Sequence, residues 1–138
     1  MIRTGLAGIL ASWLLIMTGA VSAHHSFAMF DQTKTITLEG TVSDFQWTNP
    51  HAVIFLEVRN EKGGVDTWLL SMNSPNNLRR QGWRRDSLKA GDKVTIVMHP
   101  LRDGGMGGMF LAVTLANGTV LGDPDQTKNG PINVPAAP

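Results

Sequence analysis

Five apolar segments with strand character succeed one another between residues 35 and 115, and no other feature constrains the fold as much. The first covers residues 35–47. Within it, Ile36, Leu38 and Val42 share one parity, and Phe45 and Trp47 share the other. A period-2 pattern that changes face midway predicts a bulge or bend, and Gly40 suits it. Asn49-Pro50 ends the strand. Residues 52–58 form a short, β-branched second segment, and Glu61-Lys62-Gly63-Gly64 turns the chain into the third, residues 65–72. In the fourth, Val94, Ile96 and Met98 alternate with Thr95, Val97 and His99. Leu111, Val113 and Leu115 carry the fifth, which Asn117-Gly118 closes as a tight turn.

The helix signal lies between the third and fourth segments. Ser74 suits an N-cap, Pro75 the first helical position and Leu78 the apolar contact. Gly82 fits a left-handed stop, and Trp83 just beyond it can fold back on Leu78. Strand, strand, strand, helix, strand, strand, with a bent first strand, is the order of a five-stranded Greek-key barrel of the oligonucleotide/oligosaccharide-binding (OB) type. The fold class expected is therefore all-β, a small OB-like barrel over residues 35–121 with one short helix. An antiparallel sandwich or meander with a covering helix is the alternative.

The two ends read differently. Arg3 is the only charge in residues 1–23, an apolar stretch runs through residues 5–17, and Val21-Ser22-Ala23 offers small residues at a cleavage site. This is the pattern of a secretory signal peptide cleaved after Ala23. Its apolar run falls short of the roughly 20 residues that span a membrane. The expected product is periplasmic or secreted, with no stable membrane anchor, and His24 and His25 open it ahead of a leader over residues 24–34. From Gly122 onward, "GDPDQTKNGPINVPAAP" has four prolines and little apolar material, so residues 122–138 are expected to be a disordered tail.

Residues 24–138 hold 11 basic and 11 acidic residues once Arg3 is set aside from the 12 Lys and Arg. A neutral chain lacks the cationic surplus that displaces counterions, so nucleic acid is not an expected partner. With no cysteine, neither disulfides nor lipid attachment at cysteine are available, and packing alone must hold the core.

Chemistry concentrates at four histidines. His51 follows Asn49-Pro50 between strands one and two, and His99 closes strand four. In an OB barrel those two connections border one ligand face. The leader, extended at about 3.3 Å per residue, is long enough to reach it. A chain starting at His24 offers its α-amine and ring nitrogen to one metal ion, and a second imidazole completes a three-nitrogen set. The arrangement resembles the histidine brace of copper oxygenases and copper-carrying periplasmic proteins. Nitrogen-rich sites favour Cu(II), and the sulfurs of Met106 and Met109 suit Cu(I). Copper is thus the expected cofactor, held by His24, His25, His51 and His99 with Met106 and Met109 as weaker ligands. A metal ion or small ligand is the expected partner; the sequence names no protein partner. Incidental, solvated histidines in a structural protein of the envelope are the contrasting reading.

In "NNLRRQGWRRDSL", Arg79, Arg80, Arg84 and Arg85 surround Trp83. Arg79 and Arg80, together with Trp47 at the end of strand one, are candidate ligand contacts, the basic patch suiting an anionic glycan, a lipid head group or an acidic partner. A solvated helix face with Trp83 in the core is the plainer account. The glycines around Met106 make "HPLRDGGMGGMF" either a flap over the ligand face or a long hairpin loop. Ser26 and Ser71 have no carboxylate placed to orient a base, and nothing in the spacing pairs Asp44 with Asp103. The sequence thus favours a binding module over an enzyme.

The motifs "AHHSFAMFD", "TLEGTVSDFQWTNPHA", "SPNNLRRQGWRRDSLKAGDKVTI" and "HPLRDGG" resemble an uncharacterised family of small exported bacterial proteins, a domain of unknown function. The resemblance covers about residues 23–121. It implies export and one small β-rich domain, and it brings no activity, substrate or catalytic residue. Trp68, Met72 and "AGDKVTI" are more loosely similar to periplasmic OB-type copper carriers, which use one His, two Met and a Trp. This chain departs from them in lacking a Met-x-Met spacing.

Overall fold

Residues 25–122 are described by the structure, a computed structural model. The expected signal segment, His24 and the tail beyond Gly122 lie outside the described residues. A four-residue helix, α1 (His25–Ala28), precedes β1 (Ile36–Gln46), β2 (Val53–Arg59), β3 (Val65–Ser71), helix α2 (Pro75–Arg80), β4 (Lys93–Pro100), β5 (Gly107–Leu115) and β6 (Val120–Gly122).

Strand order is β3-β2-β1-β4-β5-β6, and β3 also pairs with β5 in parallel, Leu69 to Gly107 through Ser71 to Met109. That last pairing closes five strands into an OB-like barrel. A sandwich or meander would leave β3 and β5 apart. β6 is an addition on the far half of β5, where Ala112 pairs with Gly122.

β1 serves two neighbours. Its first half, Ile36 to Thr41, pairs with β4, and its second half, from Thr41 to Gln46, pairs with β2. Gly40 stands at this switch. A Cβ there would lie 2.5 Å from Glu57 O and 2.9 Å from Leu56 Cγ, so the strands can approach only around a glycine. The change of face expected at Gly40 falls slightly later. Register shifts between Val42 and Asp44, so the bulge is at Ser43 and turns Phe45 and Trp47 inward.

The core gathers alternate residues from every barrel strand: Val42, Ile54, Leu56, Leu70, Ile96, Met98, Phe110 and Val113. α2 adds Leu78 to it. Ser74 Oγ accepts from Asn77 N at 3.3 Å, Pro75 opens the helix, and Gly82 adopts φ +92°. Trp83 N then donates to Leu78 O at 3.0 Å, closing the helix with a Schellman-type bond that folds Trp83 onto the core. Its ring meets Phe110 edge-on at 5.5 Å, and Nε1 donates to Gly122 O at 2.8 Å, holding β6.

Candidate functional site at the loop end of the barrel

Pairing links His99 to Met109, Met109 to Ser71 and Ser71 to Val53, so four strands present these residues in one row. Residues paired directly share a face. Their neighbours Met98, Phe110, Leu70 and Ile54 face the core, which puts the row on the outer surface. At about 4.8 Å per ladder step, the main chains of His99 and Ser71 stand about 10 Å apart.

His51 leaves the loop of residues 47–52, in which the Asn49–Pro50 peptide is cis. Ala52 prolongs the β2–β3 ladder, donating to Asn73 O at 3.1 Å and accepting from Met72 N at 2.9 Å. That brings the exposed His51 ring to the same end of β3, where Nδ1 donates to Met72 O at 3.1 Å. His99 is buried, and its Nδ1 donates to Lys34 O at 2.6 Å. A carbonyl oxygen only accepts, so both rings place a proton on Nδ1, and in the neutral ring the lone pair is then on Nε2.

The leader is tied to this end as well. Arg102 Nε donates to Ala28 O at 3.0 Å and Arg102 N to Met29 O at 2.9 Å. Phe30 bridges to Leu101, and Asp31 N donates to Pro100 O at 2.8 Å. The Asp31 carboxylate accepts from the Thr33 hydroxyl at 2.6 Å, the main reason its pKa lies below 3.8. Loss of solvent around the carboxylate opposes this as the next largest influence, and the Thr33 amide and Lys34 ammonium each lower the pKa by less.

The segment of residues 101–106 is bonded on both sides. Leu101 N donates to Gly107 O at 3.1 Å, Gly105 N to Asp103 Oδ1 at 2.9 Å and Leu69 N to Met106 O at 3.2 Å. It is a hairpin loop tied to the leader and to β3. Phe27, Met29, Leu69 and Met106 stand out from this end, each about half exposed. Periodicity in the sequence does not find them, because their exposure follows from the docking of leader, loop and β3.

The expected site residues therefore separate. His51 and His99 share one end, with Met109 buried directly opposite His99 and Met106 exposed on the loop. His25 begins α1, and His24 lies outside the described residues. Among the described residues, no three His, Cys, Asp or Glu side chains form a group able to hold a metal ion. Trp47, expected as a ligand contact, is instead a core residue. The Ser43 bulge turns it inward against Phe45, and its indole N–H has no hydrogen-bond partner. Arg79 and Arg80 are exposed on the last turn of α2, without an ion pair.

Among solved structures, the chain is similar to a mitochondrial single-stranded DNA-binding protein of S. cerevisiae. The match has 8% identity and a TM-score of 0.46, and covers 59% of this chain and 92% of that one. The expectation that nucleic acid is no partner is withdrawn. It rests on the formal neutrality of residues 24–138 as a whole, and overall neutrality does not describe any one surface. No curated protein matches the chain. A family model described as a family of unknown function (DUF6152) matches residues 11–110, and the chain belongs to that family.

Proposed function

We propose that the protein is exported, cleaved after Ala23 and binds copper at the loop end of its barrel. His24 supplies its amine and ring, His51 or His99 a further imidazole, and His25 assists. The observation that carries this reading is the shared orientation of the two described rings. Each gives its Nδ1–H to a main-chain carbonyl, at 3.1 Å for His51 and 2.6 Å for His99. Metal-binding histidines are commonly oriented in this way, with the second nitrogen left as the ligand. A nitrogen-rich set favours Cu(II), and Met109 opposite His99 adds a sulfur suited to Cu(I). The described residues contribute imidazoles without completing a site, so the amino end is indispensable to the proposal.

The test compares protein beginning at His24 with protein carrying one residue ahead of it. The first should bind one Cu(II) with a nitrogen-rich EPR signal, and the second should bind far more weakly. Equal affinity would remove the amine from the ligand set. Metal-independent binding of a small molecule, glycan or protein at the same end is the second reading, supported by the exposed Phe27, Met29, Leu69 and Met106. Ligand retained after chelation would favour it.

A further inference from the structure

Trp47 and Trp83 are buried to nearly the same degree, and they differ in how their ring nitrogens are satisfied. Trp83 is 2% exposed and donates from Nε1 to Gly122 O at 2.8 Å. Trp47 is 4% exposed, and its Nε1 has no hydrogen-bond partner. A buried indole N–H normally finds an acceptor, because water supplies one whenever the ring is outside. Keeping Trp47 inside therefore gives up a hydrogen bond that turning the ring out to solvent restores.

The chain around Trp47 is held at two points. β1 and β2 are last paired at Gln46 and Val53, and Ala52 is bonded to Asn73 O and to Met72 N. Between these points, residues 47–51 belong to no strand, and Thr48, Asn49, Pro50 and His51 are exposed. Among the described residues, no main-chain group of these five takes part in a hydrogen bond. One side-chain bond ties the segment down: His51 Nδ1 donates to Met72 O at 3.1 Å. The Trp47 ring itself meets Phe45 edge-on at 5.7 Å and joins the core cluster that contains Ala52 and Met72.

We infer that residues 47–51 form a lid that opens in the folded protein, with Trp47 as its plug and the His51–Met72 bond as its latch. Segments with few main-chain hydrogen bonds open locally, without global unfolding. Here the movement hinges at Gln46 and Ala52, whose ladders stay paired, and it carries the Trp47 nitrogen to water. Because the latch is the His51 ring, the same movement frees that ring from the end of β3. The lid thus controls whether His51 stays beside β3 at the end that carries His99. No metal is needed for this movement.

Hydrogen exchange of the indole protons in the full chain, followed by two-dimensional NMR, reads the lid, and Trp47→Phe assigns the signal. The Trp47 proton should exchange at least tenfold faster than that of Trp83, although both rings are buried. Its rate should stay constant in low urea, as a local opening requires. His51→Ala removes the latch and should speed Trp47 exchange severalfold, and by more than it speeds that of Trp83. Three results would each overturn the inference: a Trp47 proton as protected as that of Trp83, which would mean that a buried water holds it; a Trp47 rate that climbs steeply with urea, as in global unfolding; or no response to His51→Ala.

Discussion

The Nδ1 of His99 and the carbonyl oxygen of Lys34 lie 2.6 Å apart, joining residues separated by 65 positions. The bond fixes the ring on β4 and the path of the leader into β1 together. Replacing His99 with Ala leaves that carbonyl without its partner, at a cost of about 1–3 kcal/mol. For a domain of this size, each kcal/mol lowers the melting temperature by roughly 4–8 °C. Thermal unfolding followed by circular dichroism checks this, and an unchanged midpoint would show that the bond carries no weight.

Gly40 admits no side chain where β1 passes from β4 to β2. In Gly40→Ala the new carbon meets the main-chain oxygen of Glu57, which cannot rotate away. A loss of about 1–3 kcal/mol is expected, the usual range for overpacking. Urea unfolding should show a lower midpoint.

Trp83→Phe keeps an aromatic ring facing Phe110 and Phe45 but removes the bond to Gly122 O. The global loss should be about 0.5–1.5 kcal/mol, against about 3–5 kcal/mol for Trp83→Ala. Amide exchange in β6 should accelerate more than in β1, because β6 loses the bond that ties Gly122 O to Trp83.

Asp31 gives the leader a pH dependence of known sign. Its folded pKa is lowered, chiefly by the Thr33 hydroxyl, so its stabilising contribution is present above the unfolded value. It is lost as pH falls through the lowered folded value. In an NMR titration, the Thr33 amide should move with the Asp31 carboxyl carbon, and Asp31→Asn should abolish that coupled movement.

What was legible in the sequence was the chemistry that acts over a few residues. Ser74, Pro75, Leu78, Gly82 and Trp83 each occupy the capping, starting or stopping role that their spacing implies. The parity change in β1 was readable too, but parity only brackets a bulge between Val42 and Phe45, and Gly40 was the conspicuous residue nearby. The start of β5 was hidden for a related reason. Gly107 and Gly108 resemble a loop, yet β3 and β4 approach so closely there that a Cβ on Gly108 would stand 2.5 Å from His99 O. α1 and β6 are too short to announce themselves, and they exist through bonds to Arg102 and Trp83. An aromatic at a strand end suits a ligand surface as well as a core, and for Trp47 the bulge at Ser43 selects the core.

The bond from Arg102 to Ala28 spans 74 positions, and it has a consequence for the order of assembly. During synthesis the amino end emerges first, and nothing it will hold exists until Arg102 follows. At about 5–20 residues per second, that interval is roughly 4–15 s. Throughout it, the backbone of residues 28 and 29 lacks the partners that Arg102 later supplies. Once the fourth strand is in place, the same bonds fasten that end against the barrel.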